Sequence, residues 1–149
     1  MSLQEKVMTE LKAAMRAKDA VKLEALRAIK SGILLAQTEN GSKEEISEDA
    51  ELKLLQKLVK QRKDSAVIYK EQNREDLAKP ELEQAAVIEQ FLPAQLSEAE
   101  VEAVVKSIIA KTGAEGMKDM GKVMGMASEE LAGKADGKTI STLVKKNLS

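Results

Sequence analysis

The chain has 149 residues, 43% of them hydrophobic and 33% charged, with 24 Lys+Arg against 25 Asp+Glu and a formal net charge of −1. That length suits one ordinary domain or two small ones, and the near-neutral balance argues against a protein that grips nucleic acid or an anionic membrane with its whole surface. Cys and His are absent and Tyr69 and Phe91 are the only aromatics, which excludes disulfides, thiolate metal sites, imidazole bases, Ser-His-Asp triads and any platform that stacks several bases.

Helical periodicity dominates from the first residues onward. A first helix is predicted over about 2–18, with Leu3, Val7, Leu11, Ala14 and Met15 on one face. Asp19 reads as the N-cap of a second, running to about Glu39 with Leu23, Leu26, Ile29, Ile33 and Ala36 inward. Asn40-Gly41-Ser42 then stops it, because Asn and Gly accept left-handed backbone angles. Ser47 caps a third helix to about Gln72, with Glu48, Asp49 and Glu51 at the positive end of its dipole and Leu52, Leu55, Val59, Ala66 and Tyr69 facing inward.

Asn73 reads as the next cap, for a helix over about 75–91 carrying Leu77, Leu82, Ala85, Ile88 and Phe91. Pro80 either kinks that helix or starts it after a loop at 76–79; a single kinked helix is the preferred reading. The pattern breaks at Phe91–Leu96. Ser97 and Glu100 then form a capping box for a fifth helix to about Lys111, with Val101, Val104, Val105, Ile108 and Ile109 in one stripe, ended by Thr112-Gly113. A sixth helix over about 117–132 places Met117, Met120, Met124, Ala127 and Leu131 on one face, and a seventh over about 137–148 buries Ile140, Leu143, Val144 and Leu148. Few β-branched or aromatic residues leave no basis for a large sheet. The expected fold is all-α: about four helices in an N-terminal lobe, residues 1–93, and a small three-helix domain, residues 94–149. The N-terminus has charges from residue 5 onward and no secretory signal segment, and the longest apolar run is Ile33–Ala36, so no membrane partner and a cytoplasmic location are expected.

Four features carry candidate chemistry. Lys53, Lys57 and Lys60 share a face of the third helix, extended by Arg62, Lys63, Lys70 and Arg74; the choice is between phosphate contacts and a solvated face, the latter preferred. Arg62 falls where the stripe calls for a hydrophobe, so it should pair with a carboxylate or with helix carbonyls, a structural ion pair being preferred over a ligand site. Gly121 and Gly125, four apart, clear one strip of the sixth helix, either for tight internal packing or for a partner or an RNA backbone. The loop Gly133-Lys134-Ala135-Asp136-Gly137-Lys138 leads into the last helix. It offers either an anion site at free N–H groups or an ordinary cap by Asp136, and Lys145 and Lys146 extend the patch or complement the helix C-terminus. No acid/base dyad and no clustered metal ligands emerge, so no catalytic residue, no metal site and no cofactor are expected.

The segments RKDSAVIYKEQNREDLA at 62–78, FLPAQLSEAEVE at 91–102, MKDMGKVMG at 117–125 and GKADGKTISTLVKKNL at 133–148 together closely resemble the GatB/YqeY family, over nearly the whole chain. One departure is Asn73, where the family often has Gly before the Arg. The resemblance implies a helical lobe joined to a three-helix tail similar to the C-terminal domain of the B subunit of the glutamine-dependent aspartyl/glutamyl-tRNA amidotransferase, a domain that helps hold tRNA. Counterparts of the catalytic portion of that protein and of the glutaminase are missing from the match, so a carbon–nitrogen ligase label with glutamine as amido donor attaches by association through the tail, and an enzyme acting alone ranks lowest. Lys122, Lys134 and Lys138 fall in the matching tail motifs and Lys145 and Lys146 in the last helix; these five are the candidate nucleic-acid contacts. The function expected from the resemblance is a non-catalytic tRNA-binding or tRNA-metabolism module. The alternatives are an accessory component partnered with amidotransferase subunits and a scaffold for another protein. Residues 94–149 hold 8 Lys and 8 acidic residues, so RNA binding through this tail would be confined to one face and sensitive to salt.

Overall fold

The structure is a computed structural model that describes residues 2–39 and 46–149. The stop expected at Asn40-Gly41-Ser42 lies outside the described residues. Seven α-helices run α1 Leu3–Ala17, α2 Ala20–Glu39, α3 Glu48–Glu71, α4 Glu75–Glu89, α5 Glu98–Thr112, α6 Met120–Glu130 and α7 Gly137–Leu148, with a 3-10 turn at Met117–Asp119, and no strand occurs among the described residues. The all-α expectation holds. The chain divides into two compact units, Met1–Leu92 and Pro93–Ser149.

The helix boundaries follow local chemistry. The Ser2 and Ser97 hydroxyls accept from the backbone N–H of Glu5 and Glu100 at 3.2 Å, and each glutamate returns the bond, so both α1 and α5 open on a capping box. Ser47 Oγ accepts from Ala50 N at 3.1 Å and Asp19 Oδ1 from Lys22 N at 3.1 Å. Gly113, at φ 65, closes α5 in the left-handed conformation expected of it.

Asn73 is a correction. It does not cap α4: Arg74 occupies that position, with no side-chain cap bond, and Asn73 itself has φ 60 in the turn after α3. Its place is the left-handed residue between the two helices of a hairpin, where Gly has no steric penalty and Asn a small one. That accounts for a Gly in the family pattern and an Asn here. Asn73→Ala is expected to lower stability by about 1 kcal/mol and Asn73→Gly to leave it within a few tenths, read from urea unfolding.

The first unit has one core, built from Leu3, Val7, Leu11 and Ala14 of α1, Ala25, Leu26, Ile29 and Ile33 of α2, Leu55 and Val59 of α3, and Ala85, Val87 and Ile88 of α4. The stripes expected from spacing are therefore correct at their centres and frayed at their ends: Met15, Leu77 and Leu82 are exposed. Pro80 sits inside the single helix α4 rather than at its start. Where α2 crosses α3, a Cβ on Gly32 would lie 2.7 Å from Leu54 Cδ1, so only glycine permits this approach without displacing that side chain.

Arg62 meets a different partner from the one expected. Its Nε donates to Gln84 Oε1 at 3.0 Å and its Nη1 to the Leu58 carbonyl at 3.1 Å. The carbonyl half of the expectation holds, but the ion pair is replaced by a neutral amide, the one buried polar residue among those described. A half-buried guanidinium needs acceptors more than it needs a counter-charge, and an amide oxygen supplies one without a second ion to desolvate.

The second unit packs α5, α6 and α7 around Val101, Val105, Ile108, Val123, Ala127, Leu131, Ile140, Leu143, Val144 and Leu148. The sixth helix is shorter than expected and turned. Met117 lies in the preceding 3-10 turn and is exposed, Met120 and Met124 are half-buried, and the ridge that enters the core is Val123-Ala127-Leu131. Residues four apart form the ridge that packs between helices, and Val123 supplies a branched side chain that a methionine-centred stripe leaves out.

Candidate nucleic-acid interface

The segment between α6 and α7 is held by the strand of chain that enters the unit. Gln95 Nε2 donates to the carbonyls of Gly133 at 2.7 Å and Pro93 at 2.9 Å. Leu96 N donates to the Lys134 carbonyl at 3.0 Å, and Lys134 N to the Leu131 carbonyl at 2.9 Å. Gly133 is buried and turns the chain at φ 76, a conformation that a Cβ makes costly. These bonds fix the backbone of Lys134 while its side chain stays exposed. Residue spacing carries no sign of Gln95, because its partner is 38 residues away.

Asp136 settles one choice that residue pattern leaves open. Its carboxylate accepts from Thr139 N at 2.7 Å, so α7 begins on an ordinary aspartate cap. The carboxylate fills the place an external anion would take, and the anion-site reading of this helix start is withdrawn.

The five candidate lysines lie on α6, on the 131–136 connection and on α7, all exposed. Lys138 and Lys145 are seven apart and share a face of α7, whereas Lys146 is turned about 100° from Lys145 by the helix pitch. Lys146 Nζ is 3.5 Å from Glu102 Oε1 on α5, an oxygen that Lys106 also approaches at 3.9 Å and Asn147 Nδ2 at 3.4 Å. The ion pairs found among the described residues of this unit are these two at Glu102, and they leave Lys122, Lys134, Lys138 and Lys145 outside them. Adjacent residues thus have different surroundings: Lys146 ties α7 to α5, and Lys145 faces solvent.

Glu102 carries a pH signature. The amide of Asn147, and then the charges of Lys146 and Lys106, hold its carboxyl below the ordinary value of 4.5. A carboxylate with a lowered folded pKa stabilises above its unfolded value and loses that contribution as the pH falls through the folded one. The thermal midpoint of the second unit is expected to fall below pH 4.5, and Glu102→Gln to reduce that fall, as followed by circular dichroism. Solvent screening keeps the effect small.

Gly121 and Gly125 of α6 do not serve internal packing. A Cβ built at either meets nothing within 4 Å, so of the two alternatives for this strip tight internal packing is corrected. Elsewhere, the basic face of α3 is partly neutralised by Lys53–Asp49 at 3.4 Å and Lys63–Glu89 at 2.6 Å, and Arg74 is held by both oxygens of Asp76 at 3.0 Å. No group of three or more Asp or Glu among the described residues is placed to hold a metal ion. No helix among them is long and apolar enough to cross a membrane.

Comparison with known proteins places this geometry in context. The chain is 37% identical over 123 residues to "Altered inheritance of mitochondria protein 41, mitochondrial" of Meyerozyma guilliermondii, covering 80% of this chain and 64% of that protein. The protein of the same name from Pyrenophora tritici-repentis is 30% identical over 133 residues, 87% of this chain and 71% of its own length. The E subunit of glutamyl-tRNA(Gln) amidotransferase from Thermococcus gammatolerans is 40% identical over 73 residues, 46% of this chain and 12% of that protein's length. The chain thus spans under two thirds of the first of these and a small part of the last. Two of these relatives are named as mitochondrial, which overturns the expectation of a cytoplasmic protein. A missing secretory signal carries no information on organelle import, because an address is a short segment read by a receptor and the helical fold is the same in either compartment. The family described as Yqey-like protein matches residues 4–148; with the seven-helix fold and the tail motifs, this chain belongs to the YqeY-like family.

Proposed function

We propose that the second unit contacts tRNA weakly, through phosphates, with the exposed lysines Lys122, Lys134, Lys138 and Lys145. The observation that carries the reading is the contrast between Lys146, engaged by Glu102, and these four exposed lysines, which take no part in the unit's ion pairs. Desolvation and rearrangement cost little when a lysine has no ion pair to give up, so such side chains are the ones available to phosphate. The likeness to part of an amidotransferase named for glutamyl-tRNA supports the choice of RNA. With two aromatics in the whole chain, base stacking contributes nothing, and the contact reads shape and charge rather than sequence.

The test is an electrophoretic-shift titration with bulk tRNA at about 50 and about 200 mM salt, a span over which a few phosphate contacts change affinity by tenfold or more. Binding is expected at low salt only, and Lys134→Glu with Lys138→Glu is expected to weaken it at least about tenfold while leaving helicity unchanged. Equal affinity for the double variant overturns the assignment of these lysines.

A second reading, association with amidotransferase subunits, is supported by the same amidotransferase relative, 40% identical over 73 residues. It expects little RNA affinity in isolation and co-purification with such subunits. Gly125→Leu separates it from the first reading where docking uses the open face of α6: a Cβ at this position meets nothing within 4 Å, so the substitution is expected to block a protein partner while leaving helicity unchanged.

A further inference from the structure

The hairpin of α3 and α4 has a distal part that the first core does not include. Ala66 and Ala78, each 1% exposed, are buried but absent from the cluster that holds Leu55, Val59, Ala85 and Ile88. Around them the hairpin leaves large apolar side chains in water: Val67 is 55% exposed, Ile68 52%, and Leu77 and Leu82 37% each. An open groove of about 670 Å³ runs along α4 here, with Ala78, Leu82 and Ala86 as its apolar part and Lys70 of α3 at one side.

The charges on this groove restrict what fits it. Lys70 and Lys79 are matched by Glu75 and Glu83, and the remaining carboxylate, Asp76, is already held by Arg74. A surface of one sign, such as a nucleic acid or an anionic membrane, would meet as much repulsion as attraction. A two-fold interface has the opposite requirement: each patch must complement itself, residue against residue in both directions. Helix pitch puts Glu75, Lys79, Leu82, Glu83 and Ala86 on one face of α4. Lys79 and Glu83 are four apart and 4.0 Å from each other, the lysine side chain 80% and the glutamate 44% exposed. An antiparallel α4 from another copy, related by an axis midway between these two positions, brings each lysine beside the opposite glutamate, with Leu82 of both copies in the shared groove.

We infer that this face of α4 is a self-association surface, on which two copies of the chain pack α4 against α4. Its contact is small and partly charged, so the dimer is weak and forms with rising concentration.

Sedimentation equilibrium of the full chain over about 1 to about 200 µM tests it, since a weak dimer populates across that range. A monomer–dimer equilibrium is expected. Leu82→Glu, Lys79→Glu and Glu83→Lys are each expected to weaken it at least about tenfold, with circular dichroism unchanged because all three side chains are exposed or partly exposed. An equimolar mixture of the Lys79→Glu and Glu83→Lys variants is expected to associate again, since each then faces the complementary charges. A monomer throughout the range overturns the inference, whatever other protein the groove binds. So does a dimer indifferent to these substitutions, or a mixture that fails to associate.

Discussion

Leu143→Ala is expected to destabilise the second unit by about 2–5 kcal/mol and to leave the first unit intact. Leu143 is 1% exposed and sits in a cluster with Val101, Val105, Ile108 and Val144. Removing its branched end deletes buried apolar contacts and leaves a cavity that three short helices cannot fully close. A unit of residues 93–149 has few such contacts to lose, because small domains bury a small fraction of their surface, so a loss of this size is comparable with its whole stability. The two core clusters share no residue. Hydrogen exchange is therefore expected to show protection lost across α5, α6 and α7 and kept across α1 to α4. Uniform loss over all seven helices would mean that the units fold as one and would overturn the expectation.

Gln84→Leu is expected to cost about 1–3 kcal/mol although it replaces a polar residue by an apolar one at a buried site. Gln84 is 6% exposed, and its Oε1 is the acceptor for Arg62 Nε at 3.0 Å. Without it the guanidinium keeps the Leu58 carbonyl and loses its partner across the hairpin, in a half-buried place where water reaches poorly. Gln84→Glu keeps an acceptor and adds a counter-charge, so it is expected to be far milder. Arg62→Met combined with Gln84→Leu is expected to recover most of the loss, because both halves of the pair become apolar together. Urea unfolding of the unsubstituted chain, Arg62→Met, Gln84→Leu and the double variant measures the coupling; strictly additive effects would sink the account.

How far a residue could be read depends on the range of the interaction that decides it. The helices were legible because their periodicity and their caps are local: Ser47 and Ala50, or Ser97 and Glu100, are three apart and carry their own signal. The centres of the core stripes were legible for the same reason. Asn73 was misread although the turn is short, since Asn serves both as a cap and as a left-handed residue and only the backbone angle tells them apart. Among the candidate lysines, sequence named the residues but could not sort them: Lys145 and Lys146 differ because Glu102, more than forty positions away, reaches only one.

Composition and local pattern were enough to establish an all-helical chain with two groups of helices and no histidine or cysteine chemistry, and four motifs carried the resemblance to the GatB/YqeY family. Packing between helices was needed to show that Gln84 answers Arg62, that Val123 rather than the methionines leads α6 into the core, that Gln95 braces the loop behind Lys134, and that Gly121 and Gly125 face open space. The division follows distance along the chain. Hydrogen bonds within a turn and the 3.6-residue pitch are written in neighbouring residues, whereas burial and side-chain pairing between helices depend on which faces meet once the chain has packed.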